Sequence, residues 1–172
     1  MSDSHEELRR EVVALLPRMR RFARTITRNR EDADDLVQLS VERALLRLDQ
    51  WQPGTRLDSW MFMIMKNAWI DEVRSRVRRD AVFLPEEAGE NVGQAAGEWP
   101  ADRQNVRMDV QRAMEQLGED QRLAVGLVLV EGLPYKEAAE VLGIPIGTLT
   151  SRLARARESL QAILTGPQGA SV

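Results

Sequence analysis

Arginine dominates the side chains of this sequence that could do chemistry. It accounts for 22 of the 24 basic residues, and lysine occurs only as Lys66 and Lys136. A guanidinium group presents a fork of donors that matches phosphate oxygens and the edge of guanine. The chain has no cysteine and a single histidine, His5, so it offers neither a convincing nucleophile–base pair nor a transition-metal cage. These residue types favour binding of nucleic acid over catalysis, and we expect no cofactor and no metal.

The bulk composition is that of a folded protein outside the membrane-spanning class. Of the 172 residues, 43% are apolar and 30% are charged, which is ordinary for a globular chain. No apolar run approaches the roughly 18 residues of a membrane helix, and the polar start MSDSHEELRR is not a secretory signal. Without cysteines to form disulfides, we expect the protein to work in the reducing cytoplasm without membrane insertion.

Charge is distributed unevenly along the chain, whose net charge is −3. Residues 1–80 hold 16 basic and 14 acidic side chains, residues 81–110 hold 2 and 6, and residues 111–172 hold 6 and 7. The stretch 81–107 also loses helical periodicity and gains glycine, proline and alanine, which predicts an acidic linker. Trp99 is unusual inside such a linker. From the charge distribution we expect a basic-leaning front part and a balanced back part with different partners.

The strongest motif is a helix-turn-helix between Pro134 and Leu164. Ala139, Gly143 and Leu149 stand at relative positions 5, 9 and 15 of the motif. These positions need a small residue for close helix contact, a glycine for the turn and an apolar residue to lock the second helix. The segment GIPIG is expected to form the turn, because its proline and second glycine fit a turn better than a helix. A helical hairpin with a solvated charged face is the alternative interpretation.

Three helices are expected ahead of the linker. Apolar residues at steps of three and four run from Leu8 to Ile26, but Pro17 interrupts them, so the well-formed helix should begin there. A second helix is expected over residues 32–51, and the helix dipole explains the acids at its start without a metal. The third follows the QPGT turn, and positions at 100° steps predict one stripe on it. The stripe holds Trp60, Asn67, Asp71, Arg74 and Arg78.

Helical periodicity resumes at Met108 in the back part. The β-branched run in RLAVGLVLVEG is compatible with a strand, but its neighbours are helical and no partner strands exist, which favours a helix. Gly132 suits the position just past the end of that helix. The pattern as a whole predicts an all-α protein.

Taken in order, DADDLVQ, the helix ending DEVRSRVRR, the acidic linker and GTLTSRLARARESL resemble the extracytoplasmic-function (ECF) sigma factors. These are small relatives of sigma-70 that keep only domains 2 and 4, and the resemblance covers about residues 10–164. It implies two small helical domains joined by a flexible acidic linker. The implied parts are a sigma2-like domain at 1–80, the linker at 81–107, a sigma4-like helix-turn-helix domain at 108–165 and a disordered tail at 166–172.

The resemblance also implies partners and roles. The partners are core RNA polymerase (its β′ clamp helices and β flap), promoter DNA and an anti-sigma factor. The polymerase-binding positions are Asp35, Leu36, Gln38 and Glu42. The positions that read and open the −10 element are Trp51, Gln52, Lys66, Asn67, Asp71, Arg74 and Arg78. The positions that bind the −35 element are Thr148, Thr150, Ser151, Arg152, Arg155 and Arg157.

Several alternatives stay open at this point. Thr150 stands where some family members carry a basic residue, so no −35 sequence can be transferred. Trp60 could stack on a base, although its place at a helix start favours packing. A sigma-like decoy that binds an anti-sigma factor without driving transcription is the main alternative function, but such decoys usually carry a receiver domain for which this chain has no room. A repressor dimer fits the front domain poorly, and an enzyme ranks last.

Overall fold

The computed structural model describes residues 2–82 and 101–166, with side chains in 3–82 and 108–166. Every regular element in these ranges is helical, as the sequence predicts, and none of the helices is long and apolar enough to cross a membrane. The chain divides into two compact units, a front unit of residues 1–95 and a back unit of residues 96–172. Most of the expected linker, Trp99 and the tail from residue 167 lie outside the described residues.

The front unit is a set of packed α-helices. They are α1 Ser2–Ala14, α2 Leu16–Ile26, α3 Arg30–Leu46 and α4 Leu57–Val82, with a 3₁₀ turn at Leu48–Gln50. Pro17 lies in the first turn of α2, where its missing N–H costs no hydrogen bond. The expectation that the helix begins at this proline is right for α2, but the residues before it form a helix of their own. Leu8 and Val12 of α1 are buried, which explains why it forms.

The core of the front unit lies where α3 packs against both α2 and α4. At its centre the ring of Phe22 on α2 meets the ring of Phe62 on α4 edge-on, with 5.0 Å between ring centroids. Met19, Met61 and Met65 are completely buried around this pair. The first half of α4 is therefore packed on most sides, as its nearly continuous apolar sequence predicts.

A side-chain cap fixes the start of α3. Asn29 accepts a hydrogen bond from the backbone N–H of Asp32 at 2.7 Å, and its amide donates to the Asp32 carboxylate at 2.9 Å. This cap satisfies a donor that the helix itself leaves unpaired. Helix α3 consequently begins at Arg30, slightly earlier than expected, and ends at Leu46 before the 3₁₀ turn.

The back unit begins earlier than the periodicity indicates. Its elements are α5 Ala101–Gln116, α6 Glu119–Val125, a π-helical turn Gly126–Val130, α7 Tyr135–Leu142 and α8 Ile146–Leu164. The ambiguous β-branched run is helical, and its last turn closes with a hydrogen bond from Glu131 N–H to Gly126 O at 2.9 Å. Helical structure thus enters both ends of the stretch 81–107, whose role as a linker stays a prediction.

The turn between α7 and α8 is built on Gly143, whose φ of 64° is left-handed. Its neighbour Ile144 donates its N–H back to Ala139 O at 3.1 Å, which satisfies an end carbonyl of α7. The expected turn GIPIG is too long, because α8 already begins at Ile146 and contains Gly147. Pro145 precedes the helix as its cap residue, so its ring starts α8 rather than breaking a helix.

Candidate nucleic-acid interface

Helix α8 presents one polar and basic face to solvent. Its opposite face is locked into the back unit by Leu149, Leu153 and Ala156, each at most 1% exposed, against α6 and α7. This apolar spacing leaves most of the expected −35 positions outside. Thr150, Ser151, Arg155 and Arg157 are exposed and Thr148 is half-buried. The hydroxyl of Thr150 donates to Ile146 O at 2.9 Å, so it is already engaged within its own helix.

Arg152 differs from the other arginines of α8. Its side chain is only 28% exposed, and its Nη2 lies 3.8 Å from Asp120 Oδ2 at the start of α6. The guanidinium therefore lies against another helix of the back unit. Nothing in the sequence marks Asp120 as the neighbour of Arg152.

The second half of α4 carries the expected −10 stripe on an exposed surface. Asn67, Asp71, Arg74 and Arg78 are all exposed. Asp71 lies 3.8 Å from the guanidinium of Arg43 on α3, and its side chain keeps 65% exposure. The structure thus brings these four positions to the surface of one helix, with two arginines suited to a phosphate backbone.

Lys66 lies beside this stripe but is half-buried. Burial disfavours its charged form and lowers the pKa of its ammonium group below the ordinary value. A contact between the Lys66 ammonium and DNA would therefore be made from a partly desolvated position. Its role stays a prediction.

The loop ahead of α4 holds the remaining −10 positions. Gln52 is exposed, and its backbone carbonyl accepts the Thr55 hydroxyl at 2.6 Å, which closes the turn. Trp51 is half-buried, and its indole Nε1 is enclosed with no hydrogen-bond partner among the described residues. Trp60 is also half-buried, and Trp69 is 5% exposed inside the core. The two tryptophans of α4 therefore differ in burial, and the alternatives of packing or base stacking stay open for Trp60.

The expected polymerase-binding positions of α3 divide into two kinds. Asp35, Gln38 and Glu42 are exposed, and the Gln38 amide lies 3.5 Å from the Glu42 carboxylate. Leu36 is only 4% exposed, so its side chain belongs to the core and not to the surface. Beside the exposed positions a groove of about 490 Å³ opens between α2 and α3. Its lining includes Arg20 and Val41 together with Gln38 and Glu42.

A network that sequence reasoning missed joins α3 to α4. Arg76 donates two hydrogen bonds to the Asp32 carboxylate, at 2.6 and 2.8 Å, and a third to Glu72 at 2.8 Å. The Arg76 hydrogen bond holds the pKa of Asp32 below its usual range, although partial burial opposes this. Helix-dipole and capping effects therefore explain only part of the acidic start of α3. No signal in the sequence pairs two residues 44 positions apart.

Within the described residues no group of acidic or histidine side chains is placed to hold a metal ion. Exposed arginines, hydroxyls and an amide are instead spread over α4 and α8, one helix in each unit. Such side chains can bind phosphates and base edges.

Comparison with known proteins identifies the family. Residues 12–79 match the family model for sigma-70 region 2, and residues 107–160 match that for sigma-70, region 4. The chain is 36% identical to the ECF RNA polymerase sigma factor EcfG of Rhodopseudomonas palustris, over 92% of this chain and 86% of that protein. The chain belongs to the ECF sigma factors. The resemblance drawn from the motifs is confirmed, and so is the all-α fold.

Two further relatives place this sigma factor among proteins of the same kind. It is 34% identical to the ECF RNA polymerase sigma factor SigE of Mycolicibacterium smegmatis, over 86% of this chain but only 57% of that longer protein. The sigma factor RpoE from Bartonella quintana, solved in complex with the anti-sigma factor NepR, superposes with a TM-score of 0.75 at 30% identity. That superposition covers 94% of this chain and 99% of RpoE. These relatives are sigma factors and not decoys or enzymes, which disfavours both alternatives.

Proposed function

We propose that this sigma factor directs core RNA polymerase to one class of promoter and nucleates the opening of the DNA. In this proposal α8 binds the −35 element and the exposed stripe of α4 binds the −10 element. One observation carries the proposal. The two exposed basic surfaces lie in separate units, one matching sigma-70 region 4 and the other matching region 2.

The same surfaces suggest how the two DNA contacts differ. On α8, Ser151 offers a hydroxyl and Arg155 offers a guanidinium. Both groups can form hydrogen bonds with the edges of paired bases. On α4, Arg74 and Arg78 can support the phosphates of a separated strand. The loop ahead of α4 carries Trp51, whose enclosed indole N–H has no hydrogen-bond partner among the described residues. We assign duplex binding to α8 and strand capture to α4.

Polymerase supplies the third contact. Asp35, Gln38 and Glu42 form an exposed polar row on α3, next to the groove between α2 and α3. Such a row, with the exposed Leu39 beside it, suits a partner helix, and we assign it to the β′ clamp helices. The back unit is assigned to the β flap. Binding to polymerase also explains how a chain with a net charge of −3 can act on DNA.

Regulation by sequestration completes the proposal. The Bartonella RpoE that this chain resembles was solved with an anti-sigma factor. We therefore propose that an anti-sigma factor holds this protein inactive in the cytoplasm until a signal releases it. Sequestration would cover surfaces that polymerase or DNA needs, as expected for a competitor.

Run-off transcription from genomic fragments tests the proposed function. The purified chain is mixed with core polymerase, and transcripts are compared with those of core polymerase alone. We expect new transcripts that share one promoter class. A chain that binds core polymerase but supports opening at none of its promoters would instead be a decoy.

An arginine variant separates DNA recognition from polymerase binding. Arg155→Ala on α8 should weaken binding to the −35 element by about 1–3 kcal/mol, the usual value of a good base contact, while core association is unchanged. Arg112→Ala is the matched control, because Arg112 is an exposed arginine on α5 of the same unit. Loss of core association in Arg155→Ala, or an equal loss of DNA binding in both variants, would contradict the assignment of α8.

A further inference from the structure

The contact between Arg76 and Asp32 joins the two helices to which the proposed function gives different partners. Asp32 lies in the first turn of α3, one helical turn before Asp35 of the polymerase-binding row. Arg76 stands in sequence between Arg74 and Arg78 of the −10 stripe, but it points away from the stripe, on the side of α4 that faces α3. Its two terminal nitrogens reach the two carboxylate oxygens of Asp32 at 2.6 and 2.8 Å. This is a bidentate salt bridge, which fixes the orientation of the Arg76 guanidinium as well as its distance from Asp32.

Arg76 is held in this direction from other sides as well. Its Nε donates to Glu72 Oε1 at 2.8 Å, one turn earlier on α4. Its guanidinium carbon lies 5.6 Å from the centre of the Trp69 ring, which is buried in the core. Asp32 keeps only 13% of its side chain exposed and also accepts a hydrogen bond from Asn29. Both partners are thus fixed before any ligand arrives.

Apolar packing does not fix the end of α4 that carries the stripe. Trp69 is the last buried residue of the helix, and residues 77–82 are all exposed. Arg78 lies nine positions beyond Trp69, which is about 14 Å along a helix axis. Between them, two charged contacts join α4 to α3: a 3.8 Å contact of the exposed Asp71 with Arg43, and the shorter, paired contact of Arg76 with Asp32.

We propose that Arg76 is a positioning residue that holds the Arg74 and Arg78 end of α4 for strand capture once α3 is docked on polymerase. The inference rests on the proposed function and adds to it a link between the polymerase-binding helix and the DNA-opening helix. Capture of a separated strand depends on placement, because misplacement of about 1 Å can cost a reaction up to a hundredfold in rate. The step that depends on Arg76 is therefore opening, and neither core association nor closed-complex formation depends on it.

Two conservative variants test this role in the reconstituted holoenzyme. Arg76→Lys keeps the positive charge but loses the guanidinium that binds the carboxylate at two points. Asp32→Asn keeps the size and shape of the side chain but loses the negative charge. We expect each to slow promoter opening about tenfold, measured by fluorescence of a base analogue in the −10 element. Core affinity and closed-complex formation should stay within about twofold. The double variant should be no slower than either single variant, because both remove one contact.

Arg79→Lys is the matched control, because Arg79 reaches the same Glu72 at 3.3 Å and lies on the same end of α4. It should open promoters at the wild-type rate. Hydrogen exchange of residues 77–82 supplies a second readout, and Arg76→Lys should raise it while the core helices keep their protection. This readout also detects a variant that has simply unfolded.

Three results would overturn the inference. If Asp32→Asn opens promoters normally while Arg76→Lys does not, Arg76 contacts DNA directly. If Arg79→Lys is as slow as Arg76→Lys, opening depends on guanidinium groups anywhere at this end of α4 and not on the contact between Arg76 and Asp32. If both conservative variants open promoters at the wild-type rate, the contact does not position α4. A wild-type holoenzyme that never opens a promoter would overturn the proposed function itself, and the inference with it.

Discussion

At the scale of single residues, Asp58 shows how one carboxylate can organise the start of a helix. Arg18 of α2 donates to it at 2.9 Å, and Arg56 donates twice, at 2.8 and 3.1 Å. The backbone N–H of Ser59 adds a further bond at 2.8 Å. Burial of Asp58 opposes ionisation, but these donors outweigh it and lower its pKa from 3.8 to about 2. The carboxylate therefore ties α2 to the first turn of α4.

Replacing Asp58 should reveal this contribution. A folded-state pKa below the unfolded value stabilises the protein above about pH 4, and the stabilisation is lost as pH falls through about 2. Asp58→Asn should therefore cost about 2 kcal/mol at neutral pH, and its difference from wild type should shrink between about pH 4 and 2. Urea unfolding followed by tryptophan fluorescence in a Trp99→Phe background measures the front unit, which then holds all remaining tryptophans.

Asp49→Asn provides the comparison for Asp58→Asn. Asp49 is an exposed carboxylate in the 3₁₀ turn of the same unit. Its replacement should leave the free energy of unfolding within about 0.5 kcal/mol of wild type. Equal losses in both variants would mean that net charge, and not the arginine contacts, explains the effect.

At the scale of elements, the turn that joins α7 to α8 sets where α8 begins. Gly143 adopts a left-handed φ of 64°, whereas Gly147, four residues later, is already helical. A Cβ atom at either position would meet no heavy atom within 4 Å. The two glycines therefore differ in backbone conformation and not in available space.

Alanine at these two glycines should have opposite effects. Gly143→Ala forces an L-residue into the left-handed region and should destabilise the back unit by about 1 kcal/mol. Gly147→Ala should stabilise it by about 0.5 kcal/mol, because alanine loses less backbone entropy in a helix. Hydrogen exchange of α7 and α8 peptides reports both changes within one unit. A destabilising Gly147→Ala would show that the first turn of α8 is not helical in solution.

The sequence predicted the positions of the helices better than it predicted the contacts of single residues. The positions of α2, α3, α4, α7 and α8 follow from steps of three and four between apolar residues, since each step is a local property of one helix. The starts of three helices differ clearly from expectation: α1 before Pro17, α5 at Ala101 and α8 at Ile146. Where a helix starts depends on capping and on contact with neighbours. Local periodicity records neither of these.

At the scale of the whole molecule, the distribution of charge matters more than its sum. The net charge of −3 gives the free chain little general attraction for DNA, although arginines are exposed on α4 and α8. We expect the free chain to bind a promoter duplex at least about 100-fold more weakly than the holoenzyme does.

Fluorescence anisotropy at physiological salt measures both affinities on the same labelled duplex. A scrambled duplex of the same length and composition is the control, and the holoenzyme should prefer the promoter to it. A free chain that binds the promoter as tightly as the holoenzyme would contradict a dependence on polymerase.

For the site residues, as for the elements, the sequence predicted what one helix sets by itself and missed what a neighbouring helix sets. Exposure of Asn67, Arg74 and Arg155 follows from their helical angle, because a helix with one apolar face leaves the other to solvent. Leu36 was placed among the polymerase contacts by the family resemblance, and its burial depends on a second helix that covers that side of α3. Arg152 likewise lies against Asp120 of α6. Contacts between helices cannot be read from the periodicity of either one.

The residue types and their spacing by themselves determined the helical class and the helix-turn-helix, and the motifs in their order carried the resemblance to the ECF sigma factors. All of these rest on local order along the chain, where helical periodicity and turn residues act over a few positions. Only the tertiary structure decided which acid faces which arginine. Asp32 and Arg76 are 44 residues apart and meet because α3 and α4 pack side by side. That packing joins two separately predicted helices, to which the proposed function gives polymerase binding and DNA opening.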